Sequence, residues 1–164
     1  MQFLDTGLLN HSLNIQADML NMPDLSNAFK GAIIPHIIVQ EIISLQHLSY
    51  KKPKFWVRDK TQSSAEVDLL IVSGNKTFPV EIKSGPTGKL RSLHQFIERS
   101  SHPFAVRIYA SPFRVEQHKT PGGKDFLLMN LPYYLGGKLT EYLKFFTFLN
   151  GETSSFPRNL KLPD

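Results

Sequence analysis

The chain reads as a single α/β domain with a central mixed sheet flanked by helices. Three observations predict this. Apolar residues recur at helical spacing over residues 33–49 and 89–100. Residues 54–58, 65–72, 77–83, 104–110 and 126–130 are short apolar or alternating runs of strand length. The helical stretch 89–100 joins the runs 77–83 and 104–110 as a crossover would, so those two strands are expected to be parallel. The turn Ser73-Gly74-Asn75-Lys76 joins 65–72 to 77–83 as a hairpin, so those two are expected to be antiparallel.

The elements follow in order. Leu4, Leu8, Leu9 and Leu13 give a short helical segment within 3–20, broken at Met22-Pro23-Asp24, and residues 1–30 form a helical lead-in. In the helix over 33–49, Ile34, Ile37, Ile38, Ile42, Leu45 and Leu48 make one apolar stripe, and Pro35 belongs near its start. KFWVR (54–58) is a strand, followed by a polar loop and the hairpin. SGPTG (84–88) is a loop, and Leu90, Leu93, Phe96 and Ile97 face inward from the helix after it. FAVRIYA (104–110) and FLLMN (126–130) are strands. Residues 135–149 form a last helix, weakened by Gly136-Gly137. The domain thus spans 1–150, with a loose tail over 151–164.

Composition bounds the function. With 164 residues and 41% apolar content the chain can bury a core, so it is not a disordered polymer. Cysteine is absent, which removes disulfides and thiolate metal sites. There is no run of 18 apolar residues and no basic-then-apolar leader, so no membrane role and a cytoplasmic location are expected. Charge is unevenly spread: −3 over residues 1–50, +8 over 51–124, and balanced thereafter. A basic middle surrounding an acidic pocket suits a polyanion such as DNA, although a basic surface alone can be mere solvation.

The chemistry concentrates in AEVDLLIVSGNKTFPVEIK (65–83). Strand alternation puts Glu81 and Lys83 on one face and Ile82 on the other. It also groups Val67, Leu69 and Ile71 against Glu66, Asp68 and Leu70. Asp68 and Glu81 can hold a hard divalent cation such as Mg²⁺, and Lys83 beside it can orient a water or neutralise phosphate charge. The same pattern arises from surface charge pairs, but placing these groups on an enclosed face costs desolvation unless a cation or partner compensates. Glu41, four residues from both Ile37 and Leu45, either sits at the edge of its stripe or supplies a third acidic group. Arg58 and Lys60 after Trp56, and Lys89, Arg91 and Gln95 around the later helix, are candidate nucleic-acid contacts; each also reads as ordinary polar surface. Gly88-Lys89 fails as a P-loop, because Lys83 stands where the first glycine belongs and Leu90 where Ser or Thr belongs, so no ATPase site is visible. The six histidines have no zinc spacing. Tyr133-Tyr134 can stack bases but reads better as packing.

A helix with Glu, a strand with Asp, a strand with E-x-K and a helix resemble the PD-(D/E)XK nuclease superfamily. LDTGLL (4–9), Gln40-Glu41-Ile42, FWVR (55–58), EVDLLI (66–71), VEIKSG (80–85), LHQF (93–96), FAVRIYA (104–110) and NLPYYL (130–135) resemble more closely the uncharacterised C-terminal domain of prokaryotic AAA+ ATPases. The resemblance implies a restriction-endonuclease-like sheet. It implies Mg²⁺ or Mn²⁺ held by Asp68, Glu81 and the Ile82 carbonyl, catalysis by Lys83 with Glu41 as an auxiliary, and hydrolysis of DNA phosphodiesters. It also implies an AAA+ ATPase module in cis or in trans, and a chain that is part of a longer or split protein. The pattern has a Glu four residues after the helix glycine, where this chain has Pro35. The alternative is therefore a nuclease-like module without catalysis that binds nucleic acid or docks a protein. Asp68 and Glu81 close enough to share an ion would favour the enzyme. An Arg58 or Lys83 side chain on the metal position would favour the inert module.

Overall fold

The computed structural model describes residues 5–12, 33–45, 54–57, 66–83, 85 and 89–151. Helix α1 (Thr6–Ser12) starts where the Asp5 carboxylate accepts the Leu8 amide at 2.9 Å, satisfying one of the free donors of the first turn. Helix α2 (Ile33–Ser44) carries Pro35 in its first turn, where the missing N–H costs nothing. The sheet is built from β1 (Lys54–Val57), β2 (Glu66–Ser73), β3 (Lys76–Ile82), β4 (Phe104–Tyr109), β5 (Arg114–Lys119) and β6 (Asp125–Pro132). Helix α3 (Arg91–Arg99) joins β3 to β4, and a 3-10 helix (Tyr133–Lys138) leads into α4 (Leu139–Gly151).

The six strands lie in the order β1-β2-β3-β4-β6-β5. β2 and β3 pair antiparallel through a two-residue turn, and Gly74 at φ 59° supplies the left-handed conformation that turn needs. β3, β4 and β6 are parallel, and β1 and β5 close the two edges antiparallel. The sheet is thus mixed, with helices on both faces. Phe78, Val80, Ile82, Val106, Ile108, Met129 and Leu131 pack against Ile38 and Ile42 of α2 and Leu139, Leu143 and Phe146 of α4. Ala105, Phe126 and Leu128 pack on the other face against Leu93 and Ile97 of α3, as the helical spacing of 89–100 requires.

Three expectations change. β5, RVEQHK, is a strand the sequence does not announce. It is polar because it is an edge strand, and its six register pairs with β6 hold it in place. The last helix begins in 3-10 form: Gly136 and Gly137 are where Ile38 and Glu41 of α2 press in, so the helix gives way there to fit its neighbour. In α2 the buried residues are Ile33, Ile38 and Ile42, whereas Ile37 and Leu45 are exposed. The stripe is therefore rotated from the one expected, and Glu41, between Ile37 and Leu45, lies on the solvent side. Most of the lead-in (1–30) and the tail beyond residue 151 lie outside the described residues.

Candidate active site at the ends of strands β2 and β3

β2 is irregular where the chemistry begins. Lys54 pairs with Leu70 and Trp56 with Val67, so two steps along β1 face three along β2. The extra residue is a bulge at Asp68–Leu69. It breaks the expected alternation: Leu69 and Ile71 pack toward α2 and α4, but Val67 joins Leu70 on the α3 side. The bulge also frees Asp68 from the regular ladder. Its Oδ2 accepts the Ile82 amide at 2.7 Å, a bond that continues the β2–β3 pairing through a side chain. The Ile82 carbonyl leaves β3 on the same side as its amide, toward Asp68.

On β3 the expected alternation holds. Phe78, Val80 and Ile82 face the larger core, and Glu81 lies on the face opposite. Glu81 is 5% exposed. One carboxylate oxygen, Oε1, is ion-paired with Lys83 Nζ, and the other, Oε2, is buried with no hydrogen-bond partner. Lys83 is tied at its backbone from two sides. Its amide donates to Ile108 at 2.9 Å, and its carbonyl accepts the Tyr133 hydroxyl. Tyr133 is thus a positioning contact for the strand end, beyond the packing role the sequence suggests, while Tyr134 is exposed.

Burial pushes the Glu81 carboxyl above its usual range, and the charge of Asp68 pushes the same way, against the pull of Lys83. Asp68 is also raised, by desolvation first, with the Ile82 amide and Lys83 opposing and Glu66 adding. Asp68 as a residue is exposed although its carboxyl is turned into the sheet. The rise at Glu81 is therefore the one that carries weight. Asp68, Glu81 and Lys83 are thus electrostatic neighbours, and Glu66 is a further carboxylate in the group that sequence reading passes over.

The remaining candidates are dispersed. The charges acting on Asp68 are those of Lys83 and Glu66, and those acting on Glu81 are Asp68, Lys83 and Glu66; Glu41 is not among them. Its carboxylate lies against Gly137, where an added Cβ would stand 2.6 Å from Oε1. Lys89 and Arg91 are exposed at the start of α3, and Gln95 is half-buried on it. Arg58 and Lys60 lie outside the described residues. Among the described residues no three His, Asp or Glu side chains gather as a metal-holding group.

A family model for a domain of unknown function, DUF4143, matches residues 30–130, more than half of the chain. The chain belongs to the DUF4143 family. Comparison with curated proteins gives no match. DUF4143 domains are often found with ATPases. In this DUF4143 chain the matched stretch contains Asp68, Glu81 and Lys83, while Tyr133, which holds the Lys83 carbonyl, lies just past it. Among the described residues no helix is long and apolar enough to cross a membrane.

A second polar group, on β4, β5 and β6, also escapes sequence reading. Arg107 Nε donates to Asn130 Oδ1 at 2.7 Å, and Asn130 Nδ2 donates to Glu116 Oε2 at 2.8 Å. Arg107 and Asn130 are both buried. The signal was present: an arginine and an asparagine each end an otherwise apolar run in FAVR and FLLMN.

Proposed function

We propose that the domain is nuclease-like and metal-dependent, hydrolysing phosphodiester bonds in DNA as part of an ATPase-linked protein. The observation that carries this reading is Glu81. A buried carboxylate whose second oxygen has no hydrogen-bond partner, beside a second carboxylate, is costly unless a cation completes it. The residues fit such an ion. Mg²⁺ keeps several of its waters and is commonly held by one or two carboxylates, so Asp68, Glu81 and the Ile82 carbonyl suffice without a third acidic group. The ion, when bound, polarises a phosphoryl oxygen and lowers the pKa of a water. Lys83, fixed through its backbone, neutralises charge that develops on the phosphate. The order of α2, the antiparallel pair β2–β3, α3 and parallel β4 supports a restriction-endonuclease-like core, and the association of the family with ATPases supports the proposed partner.

Two observations favour the second reading, a module that binds nucleic acid or a partner protein without catalysis. Lys83 is paired with Glu81 Oε1, and Pro35 stands in the place of the helix Glu. The readings separate in one experiment. Mn²⁺ and Mg²⁺ are titrated calorimetrically into wild type and Asp68→Ala, and nicked, branched and single-stranded DNA are incubated with wild type, Asp68→Ala and Lys83→Ala. The enzyme reading expects binding and cleavage by wild type, loss of both in Asp68→Ala, and loss of cleavage with binding retained in Lys83→Ala. No heat at millimolar ion, or equal cleavage by all three proteins, would overturn it.

A further inference from the structure

The candidate site and the second polar group lie on one line. Glu81 is in register with Arg107, Arg107 with Asn130, and Asn130 with Arg114. Residues in register on adjacent strands project from the same face, so these four form a row across β3, β4, β6 and β5. Three strand spacings put Arg114 roughly 14 Å from Glu81.

The row ends in a device that grips one arginine. Glu116 Oε1 is ion-paired with Arg114 Nε at 3.1 Å. Its Oε2 is held by Asn130 Nδ2 at 2.8 Å and approached by His118 Nε2 at 3.4 Å and Arg107 Nη2 at 3.7 Å. Arg107, 7% exposed, lies over the Tyr109 ring at 4.7 Å and bonds Asn130, which is fully buried. Arg114 is the exposed member, its side chain 55% accessible, and its guanidinium also lies 5.8 Å from the Tyr109 ring centre. Burying a guanidinium and an amide is expensive, and nothing in the core requires it. Two guanidiniums face one carboxylate, so the group stays cationic. A guanidinium held at Nε keeps its two terminal nitrogens as a fork, the geometry that matches a phosphate.

We propose that Arg114 is a phosphate-binding group, presented by the buried Arg107–Asn130–Glu116 network to a nucleic-acid strand that runs from the Glu81 site across β4 and β6. The direction of the strand rests on the nuclease-like reading; the phosphate contact does not. The distance corresponds to a few nucleotides of one strand. The probe is a fluorescein-labelled single-stranded oligothymidylate, followed by anisotropy in EDTA so that no divalent ion contributes. Arg114→Ala is expected to weaken binding at least five-fold and to lower the salt slope by about one. Arg114→Lys, which keeps the charge but loses the grip at Nε, recovers less than half of that loss. Glu116→Ala decides between presentation and a diffuse field: it raises the net charge, so a field tightens binding, whereas loss of the grip weakens it. Lys144→Ala, on α4, leaves binding unchanged, and thermal melts confirm that each variant is folded. Wild type that does not bind the oligonucleotide, Arg114→Ala that binds as wild type, or Glu116→Ala that binds more tightly overturns the proposal. Arg114-dependent binding by a protein that takes up no Mn²⁺ would remove the nuclease reading and leave this contact standing. Mn²⁺-dependent cleavage untouched by Arg114→Ala would do the reverse.

Discussion

Glu81→Gln is expected to make the metal-free protein more stable while destroying the cation site. The wild-type carboxylate is 5% exposed, has an oxygen without a partner and faces Asp68. An unsatisfied buried group of this kind costs about 1–3 kcal/mol. Glutamine removes the charge and can donate to Asp68. Against this, Lys83 loses its ion pair, but its side chain is 27% exposed and can be hydrated, so the loss is at most about 1 kcal/mol. The net gain is about 1 kcal/mol, or about 2–4 °C in Tm for a chain of this size. The pH dependence follows from the raised Glu81 carboxyl. Between its unfolded value and its higher folded value, the native state binds more protons than the unfolded state, so wild-type stability falls as pH rises through that window. The advantage of glutamine is therefore complete above the folded value and vanishes below the ordinary Glu range. A second scan with Mn²⁺ at a hundred times its dissociation constant should stabilise wild type by about 2.7 kcal/mol and leave the variant unmoved. Thermal unfolding followed by circular dichroism, at pH 4 and pH 7.5 with and without Mn²⁺, measures all four quantities. A variant less stable than wild type at pH 7.5 without ion, or one that Mn²⁺ stabilises equally, would refute the reasoning.

Two further outcomes follow from packing. Tyr133→Phe leaves the Lys83 carbonyl without its donor and should cost about 1 kcal/mol; amide exchange measured by NMR should speed up at Lys83 and remain unchanged at Val80, and equal protection at Lys83 would deny the contact its role. The adjacent glycines should respond differently: Gly136→Ala places a Cβ 2.9 Å from Ile38 Cδ1 in the core and should cost about 1–3 kcal/mol, while Gly137→Ala meets the exposed Glu41 carboxylate, which can swing away, and should stay within about 0.5 kcal/mol in urea unfolding.

Much of the fold was legible because it rests on periodicity. The hairpin of β2 and β3, the crossover through α3 and the parallel pairing of β3 with β4 follow from apolar spacing and one turn containing Gly74. What escaped has three physical causes. β5 is held by its neighbour rather than by its own composition, and an edge strand needs few apolar residues. Glu41 was placed within an apolar stripe because six isoleucines crowd α2; which of them face the core depends on what packs there, and Ile33, Ile38 and Ile42 were chosen over Ile37. The bulge in β2 has no residue signature, since neither glycine nor proline marks it. Asp68, Glu81 and Lys83 were legible together because the turn at Gly74 fixes the hairpin register, and that register, continued past Leu69 and Val80, brings Asp68 to Glu81. The Arg107–Asn130–Glu116 group was not, because its members meet only when β6 lies between β4 and β5, an order that periodicity does not give.

The bulge has a consequence for how the protein tolerates change in length. Removing Asp68 would restore plain alternation, and because the bulge already sets Val67 and Leu69 on opposite faces, the residues before it would keep the faces they have. Val67, now wholly enclosed beside Leu93 and Ile97, would stay in its layer, while the carboxylate that takes the Ile82 amide would be lost. A single codon lost here would therefore dismantle a carboxylate pair and spare the core, whereas one lost from the regular part of β2 would turn side chains over. Asp68 thus stands on a residue that the layering of the sheet does not itself require.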